Sequence, residues 1–325
     1  MRAVAEPSHL LSMTFRRWSR RGHLRVDQSR RWQADLALAG VALVWGATFV
    51  VVKEALHDVS PLLFLALRFS LAAIALAIAA RPLASKFQAG RTLTSGGVIA
   101  GLCLFVGYWL QTLGLRYTTP SKSAFLTGLS IVMVPMFGGL MRRRMPSADE
   151  IAGVAIATVG MGLLTLEGGW GGMNPGDILT IGCAAGFALH ILAVGHWAPR
   201  VNYQALTLVQ IVTTALCAAS LVGVEARYLR WSPRVLVALV VTGLLATALA
   251  FSVQAWAQQR TTPTHTALIF ALEPVFAWLT SFVVTGERLS WRQGAGAALI
   301  LTGILLVELK LLARSRQSSR RDGRP

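Results

Sequence analysis

The chain has 325 residues, of which 54% are hydrophobic and only 14% are charged, and this balance excludes an ordinary soluble protein. Its formal net charge of +17 lies mostly in the two terminal stretches and between apolar runs. No folded nucleic-acid-binding module accompanies that charge, so we expect no nucleic-acid partner. The three cysteines fall inside apolar runs, a pattern that predicts no disulfide framework, no metal site and no cofactor.

Apolar stretches long enough to cross a bilayer recur along the whole chain. A transmembrane helix needs about 20 mostly apolar residues to cross a hydrocarbon core of about 30 Å. The first stretch, from Asp35 to Val52, is too long for the apolar region of a signal peptide and has no A-x-A-like cleavage site after it, so it is interpreted as an uncleaved helix. The sequence therefore predicts an all-α integral membrane protein with ten transmembrane helices, called segments 1 to 10 in chain order. These segments span residues 35–53, 61–81, 93–114, 121–142, 149–167, 176–197, 203–224, 233–257, 262–285 and 291–313.

Basic residues between the segments predict the orientation. The N-terminal tail (1–34) and the C-terminal tail (314–325) are both rich in arginine, and more Lys and Arg lie in the short loops after segments 2 and 4. By the positive-inside rule both termini face the cytoplasm, in the cell inner membrane, where anionic lipid is a further partner. Arg227 and Arg230, between segments 7 and 8, and Arg234, at the start of segment 8, run against this assignment.

An internal repeat relates the two halves of the chain. A shift of 143 residues aligns Thr118-Thr119-Pro120 with Thr261-Thr262-Pro263, and a shift of 142 aligns Asp35 with Asp177. Residues 35–167 and 176–313 are thus predicted to be two copies of one five-helix unit. Because a unit with an odd number of crossings starts its second copy on the other side of the membrane, the repeat is inverted, an arrangement typical of secondary transporters.

Several short motifs resemble one family of membrane proteins. They are Leu43-Val44-Trp45-Gly46 with Phe49 in segment 1, Leu67-Arg68-Phe69 in segment 2, Ser123-Ala124-Phe125-Leu126-Thr127 in segment 4, and Leu272-Glu273-Pro274-Val275-Phe276 followed by Gly286-Glu287-Arg288-Leu289-Ser290 in segment 9 and after it. Together they resemble the drug/metabolite transporter superfamily, specifically its EamA branch, over about residues 35–308. The chain departs from that pattern at Arg142-Arg143-Arg144-Met145-Pro146, where many relatives carry Gly-Glu-Arg, and at Gly186-Phe187, where Trp is common.

The resemblance implies a central cavity between the two halves, alternating access, and a substrate such as an amino acid, a metabolite or a drug. We therefore expect a secondary active transporter, favouring an exporter, with a small-molecule substrate and proton coupling; the chain could also form a homodimer. A channel or membrane scaffold is the alternative. An intramembrane enzyme is disfavoured because the sequence has no catalytic motif and no second acid in register with Glu273.

Glu273 is the main candidate for the substrate site and for coupling. It lies about ten residues into segment 9, near the membrane midplane, where a charge costs about 2.5 to 3.5 kcal/mol unless it faces a cavity or a partner. Pro274 and, in segment 4, Pro135 predict interruptions of two corresponding helices, which is a sequence pointer to a transport site. The alternative is a structural kink in which Glu273 is hydrogen-bonded to a neighbouring helix.

The remaining candidate substrate-binding residues are Phe270, which shares segment 9 with Glu273, and five residues on four other segments. Thr127 and Ser130 form a hydroxyl face on segment 4, and the shift of 143 maps them onto Phe270 and Glu273. Arg68 could anchor a substrate carboxylate, pair with Glu273, or extend its side chain to the interface. Trp45 packs against either the cavity or the core, and His190 is either a ligand contact or an interhelical hydrogen-bonding residue.

Overall fold

The structure, a computed structural model, describes residues 31–81, 90–118, 120–142, 145–165, 174–285 and 290–322. The N-terminal tail up to residue 30, the basic turn residues 143–144 and the motif residues 286–289 lie outside the described residues. The described part of the chain is helical and holds one isolated β-bridge, between Val59 and Leu229.

Thirteen α-helices, labelled in chain order, make up the described fold. They are α1 (Arg31–Ala55), α2 (Pro61–Ala80), α3 (Arg91–Gly114), α4 (Pro120–Gly128), α5 (Ser130–Arg142), α6 (Ala148–Thr165), α7 (Pro175–Trp197), α8 (Tyr203–Leu221), α9 (Pro233–Val240), α10 (Ala250–Ala257), α11 (Pro263–Phe270), α12 (Glu273–Thr285) and α13 (Trp291–Asp322). A π-helical stretch, Val241–Leu249, joins α9 to α10 without a break, and short 3-10 turns follow α7 (Ala198–Arg200) and α8 (Val222–Val224).

Length and composition make many of these helices suitable for a bilayer. Among the described residues, seven helical stretches are long and apolar enough to cross a membrane. They are Arg31–Ala55, Pro61–Ala80, Arg91–Gly114, Lys122–Met141, Pro175–Arg200, Tyr203–Val224 and Pro233–Ala257. The apolar stretch Trp291–Val307 of α13 is shorter. α13 itself continues past the predicted end of segment 10 at residue 313, because no Gly or Pro occurs before Gly323.

Helix starts follow local capping chemistry that is visible in the sequence. Asn174 caps α7 in a reciprocal capping box with Asp177, and Pro175 occupies the first turn, where its missing N–H costs nothing. Thr262 caps α11 with a single bond, as its hydroxyl accepts a hydrogen bond from the backbone N–H of His265. The turn chemistry therefore fixes where these two helices begin.

Segments 4 and 9 are each interrupted, at corresponding positions. The first is broken at Leu129, between α4 and α5, and the second at Ala271 and Leu272, between α11 and α12. Leu129 and Leu272 are 143 residues apart, as the repeat requires. The interruption beside Pro274 is confirmed. The prediction that Pro135 breaks segment 4 is wrong: Pro135 lies inside α5, and the break falls earlier, next to Gly128, whose missing side chain gives room to Met161.

Glycines allow several close contacts between helices. A Cβ on Gly97 would lie 2.4 Å from Val209, and one on Gly101 would lie 2.6 Å from the carbonyl oxygen of Gln210, so α3 packs directly against α8. Gly153 and Gly160 bring α6 equally close to α13. Small residues at such positions let helix backbones approach, which drives association where lipid offers no hydrophobic gain.

Candidate functional site

A cavity lies where the two halves of the chain meet, and helices from both halves line it. Its empty volume is about 810 Å³, including the part that is continuous with the outside. The structure brings together at this cavity all seven residues that the sequence analysis singled out for substrate binding. They are Trp45, Arg68, Thr127, Ser130, His190, Phe270 and Glu273.

Gly46 positions Trp45 beside the cavity. A Cβ on Gly46 would lie 2.5 Å from the carbonyl oxygen of Glu273 and 2.9 Å from the backbone nitrogen of Ala277, so only glycine lets α1 approach α12 this closely. The neighbouring indole packs 4.9 Å from the ring of Phe270 and 5.3 Å from that of Phe251. Trp45 therefore belongs both to the cavity wall and to an aromatic cluster, so the two alternatives given for it are not exclusive.

Arg68 is held inside the protein and does not extend to the membrane interface. Its side chain is only 3% exposed. The Nε atom donates a 2.8 Å hydrogen bond to the hydroxyl of Thr247, and Nη2 donates a 3.2 Å bond to the hydroxyl of Tyr108. The guanidinium also lies over the Tyr108 ring, 4.5 Å from its centroid. The interface interpretation is thus wrong, because two hydroxyls and an aromatic face supply partners at depth.

Glu273 begins α12, directly after the break in segment 9. It lies at a helix N-terminus, where the helix dipole favours a negative charge. Its side chain is partly buried and lines the cavity, and it makes no hydrogen bond or ion pair with any residue that the structure describes. The proposed pairing of Arg68 with Glu273 is therefore not formed in this structure, and the carboxylate faces the cavity without a protein partner among those residues.

The other polar candidates are engaged with neighbouring helices while lining the same cavity. His190 Nε2 lies 2.9 Å from Oε1 of Gln210, which joins α7 to α8. The Thr127 hydroxyl accepts a 3.2 Å hydrogen bond from the amide of Gln111 and lies 3.7 Å from Cys183. Ser130 opens α5 after the break at Leu129. These side chains form the polar part of the wall.

Aromatic residues that the sequence analysis missed complete the site. Tyr108 orients Arg68, while Phe187 and Phe251 cover the apolar side of the cavity. Tyr108 is the one tyrosine inside segment 3, and that polar aromatic in an apolar run was an available signal. The two phenylalanines carry no such signal, because in a membrane segment a lipid-facing Phe and a cavity-facing Phe look the same in sequence.

The arrangement suits recognition of a small molecule that carries both charges. Arg68 and Glu273 are the charged residues in the lining, and aromatic rings lie near both. A guanidinium binds a carboxylate through a geometrically matched fork, and a carboxylate binds an ammonium group. Among the described residues no group of three or more His, Cys, Asp or Glu is placed to hold a metal ion.

Comparison with known proteins identifies the family. The sequence model of the EamA-like transporter family matches residues 32–166 and again residues 174–309. An uncharacterized transporter of Archaeoglobus fulgidus is 34% identical over 87% of this chain and 88% of its own length. A probable amino-acid metabolite efflux pump of Salmonella typhimurium is 28% identical over 82% of this chain and 91% of its own. A probable terminal-alkyne amino-acid exporter of Streptantibioticus cattleyicolor is 24% identical over 88% and 97%.

A solved crystal structure shares the fold. It superposes with a TM-score of 0.71 at 20% sequence identity and covers 87% of this chain and 98% of its own. The apolar helices and the transporter relatives agree on a multi-pass membrane protein. With the family model matched across both halves and a relative 34% identical over most of its length, the chain belongs to the EamA-like transporter family.

Proposed function

We propose that this protein is a secondary active exporter of a small zwitterionic metabolite, derived from an amino acid, that works by alternating access. The observation that carries the proposal is the cavity between the halves, whose lining holds the cation Arg68, the acid Glu273 and several aromatic rings. In this proposal the chain crosses the membrane ten times as two inverted five-helix repeats, with both termini in the cytoplasm.

Local structure supports the repeat. The turn before α6 is a capping box in which Ser147 and Glu150 bond each other, and the turn before α13 repeats it with Ser290 and Gln293. In both cases the backbone N–H of the serine donates a 2.9 Å hydrogen bond to the side chain three residues later. Two separate helices thus begin by the same chemistry, as descent from one unit requires.

Packing between the halves supports an inverted relation. The helix α1 contacts α11 and α12, and its repeat equivalent α7 contacts α4 and α5, which are the equivalents of those two helices. At the contact between α6 and α13, Gly153 faces Gly303 while Gly160 faces Gly296. The shift of 143 maps Gly153 onto Gly296 and Gly160 onto Gly303, so each of the two contacts is the repeat equivalent of the other. Such an exchange is what a two-fold axis produces, and five crossings in each unit would put that axis in the membrane plane.

The basic residues near the loop between segments 7 and 8 remain an exception to the proposed orientation. Asp58 lies 2.6 Å from Arg230, and Glu54 lies 3.8 Å from Arg234. The positive-inside rule counts Lys and Arg and is not a rule of net charge, so these ion pairs do not remove the exception. The proposed orientation then rests on the remaining bias of the tails and of the loops after segments 2 and 4.

The two charged residues of the lining suggest how a zwitterion would bind. Arg68 has its Nε and Nη2 atoms fixed by Thr247 and Tyr108, so its guanidinium is pre-organised to receive a carboxylate. Glu273 would hold the ammonium group, and Trp45 and Phe251 would cover an apolar side chain. Two relatives are named as a probable amino-acid metabolite efflux pump and a probable terminal-alkyne amino-acid exporter, which agrees with this substrate class.

Glu273 also provides a route to proton coupling. A carboxylate that holds a substrate ammonium in one state needs a proton or another cation when the substrate has left, because an unpaired charge within the membrane is costly. Exchange of substrate for a proton at this one side chain would couple export to the proton gradient.

Counterflow in proteoliposomes tests the proposal. Vesicles loaded with an unlabelled amino-acid mixture are diluted into a trace of each labelled amino acid in turn, and transient accumulation is followed. We expect saturable accumulation of at least one zwitterion, with loss of the signal on amidation of its carboxylate. Flux without saturation or counterflow would indicate a channel and would overturn the proposal, as would the absence of flux for every compound tried.

A further inference from the structure

Two acid–base contacts, here called pairs, occupy repeat-equivalent positions in the fold. Nε2 of His265, in α11, lies 3.0 Å from Oδ1 of Asp35, in α1. Nζ of Lys122, in α4, lies 2.6 Å from Oδ2 of Asp177, in α7. The shift of 143 maps Lys122 onto His265, and the shift of 142 maps Asp35 onto Asp177. One acid–base contact is therefore present twice, once in each half.

The two pairs lie at opposite faces of the helix bundle. Asp35 is close to the start of α1, whose 25 residues extend for about 37 Å at 1.5 Å per residue. Lys53, near the end of α1, donates a hydrogen bond to the carbonyl oxygen of Thr118, and the hydroxyl of Thr118 donates one to Asp177. The Asp177 pair is thus next to the end of α1, and the Asp35 pair is next to its beginning.

Each pair also joins one half of the chain to the other. Asp35 is in the first half and His265 in the second, while Lys122 is in the first half and Asp177 in the second. One member of each pair is almost completely buried, with His265 exposed by 2% and Asp177 by 1%. Parting the halves at either face separates one of these pairs and opens a buried polar group, which costs free energy unless water replaces the partner.

The basic member of each pair stands on a half-helix that leads to the cavity. Lys122 is in α4, which ends at the break at Leu129 and carries Thr127 of the cavity wall. His265 is in α11, which ends at the break at Ala271 and carries Phe270 of the wall. A short helix between a break and such a pair is a unit that can move as a rigid body, so the pair and the wall move together.

We propose that the Asp35–His265 pair and the Asp177–Lys122 pair are the latches of the two faces, and that transport breaks them in turn. The inference rests on the alternating access proposed above and adds the residues that keep each face shut. Both contacts are formed in this structure. Loss of one latch shifts the conformational equilibrium toward the state open at that face, because it removes an interaction present only when the face is closed.

Sided labelling of a cavity cysteine tests the latches. Cys103, Cys183 and Cys217 are replaced by alanine, and one reporter is introduced by Ser130→Cys on the cavity wall. A membrane-impermeant maleimide is then applied to right-side-out and to inside-out vesicles. Asp35→Asn should raise the labelling rate from the face where α1 begins by about five-fold or more and lower it from the other face. Asp177→Asn should do the reverse.

Three further variants test whether the shifts come from the pairs themselves. His265→Gln and Lys122→Gln remove the other member of each pair and should give the same opposite shifts, so the result does not depend on one variant folding well. Glu54→Gln is the control. Both side chains of its 3.8 Å ion pair with Arg234 are exposed, so this variant should leave the labelling rate unchanged. Counterflow is measured on the reporter protein in parallel.

Each outcome decides a separate question. Opposite shifts for the two pairs support the latches. Equal shifts, shifts for one pair only, or no shift in a reporter protein that shows counterflow would overturn the latches and leave the transporter standing. The proposed function itself would be overturned by a different result: the reporter is labelled from one face alone, and neither the reporter protein nor its cysteine-containing parent shows counterflow for any zwitterion.

Discussion

The indole nitrogen of Trp45 donates a 2.8 Å hydrogen bond to the backbone carbonyl oxygen of Ala246, in the π-helical stretch of the other half. In a regular helix this carbonyl would accept from the backbone N–H four residues later. The wider π turn changes that register, and such turns are frequent at functional sites. One wall of the cavity is thereby tied to the irregular part of the helix that faces it.

Trp45→Phe should destabilise the protein and weaken substrate binding. The phenyl ring preserves the contacts with Phe251 and Phe270, but the carbonyl of Ala246 loses its donor, at a cost of about 1 to 3 kcal/mol. We expect a lower melting temperature in detergent and a higher KM for counterflow. The matched control is Trp109→Phe, because the Trp109 indole stacks on Phe105 away from the cavity lining. A larger effect from the control would refute the assignment.

Arg68→Lys should abolish most of the transport although it retains the positive charge. Lysine cannot donate to Thr247 and Tyr108 and still present a planar fork, so we expect a loss of at least about ten-fold in kcat/KM for the zwitterion. Tyr108→Phe removes one of the two positioning bonds and should cost less, about five-fold. Equal activity of Arg68→Lys and the parent in counterflow would show that Arg68 is only structural.

Much of this architecture follows from the sequence because its signals are strong and local. Apolar runs of about 20 residues, with proline and capping residues between them, give the helices, and Pro61, Pro175 and Pro263 each lie at a helix start, as a residue without an N–H must. The predicted site residues include two charged ones, Arg68 and Glu273. A charge within the membrane costs free energy, so a charged residue in an apolar segment is recognisable in the sequence as a functional candidate.

The remainder depends on contacts between distant parts of the chain. The break at Leu129 has no proline beside it and is matched to the break at Leu272 only through the repeat. The sequence does not predict whether the side chain of Arg68 is buried or reaches the membrane interface, because its partners Tyr108 and Thr247 come from the distant segments 3 and 8. The π-helical stretch likewise cannot be recognised in the sequence, because α-helical and π-helical turns of an apolar segment differ in their hydrogen bonds and not in their composition.

Glu273→Gln should separate substrate binding from coupling. The amide has nearly the shape of the carboxyl group, so we expect the protein to fold and to melt close to the parent temperature. It can neither take up a proton nor hold an ammonium group by charge, so counterflow should weaken and lose its dependence on pH. Glu54→Gln, at an exposed carboxylate, should keep both rate and pH profile. An unchanged pH profile of transport in Glu273→Gln would assign coupling elsewhere.

Gly160→Ala should destabilise the contact between α6 and α13. The added Cβ would lie 2.6 Å from the carbonyl oxygen of Gly296 and 2.8 Å from the backbone nitrogen of Ile300, and backbone atoms cannot move aside as a side chain can. We expect a loss of about 1 to 3 kcal/mol, seen as a lower melting temperature. The control is Gly40→Ala in α1, where nothing lies within 4 Å of the new atom. The control should be neutral or slightly stabilising, since alanine favours a helix.

Asp58→Asn should lower the melting temperature in a manner that depends on pH. The carboxylate lies in the loop between α1 and α2, only 3% exposed, where it accepts a 2.7 Å hydrogen bond from Ser232 and bonds of 2.6 and 3.0 Å from Arg230. These bonds, that from Ser232 first and those from Arg230 next, hold the pKa of Asp58 below its ordinary value. They also tie this loop to the one before α9, which the backbone bond from Arg230 to the carbonyl oxygen of Asp58 reinforces.

The sign of the pH effect follows from that lowered pKa. An acid that is easier to ionise in the folded state stabilises it fully above the unfolded pKa, which is about 3.9 for aspartate, and the contribution is lost as the pH falls through the folded pKa. The gap in melting temperature between the parent and Asp58→Asn should thus be constant from neutral pH to about pH 5 and should close in more acidic buffer. Ser232→Ala should give a smaller gap with the same profile, because the ion pair with Arg230 remains. Melting curves of the purified protein in detergent across this pH range measure the effect. A difference in melting temperature that persists unchanged below the folded pKa would mean that the asparagine side chain disturbs the loop by its shape and not by its lack of charge.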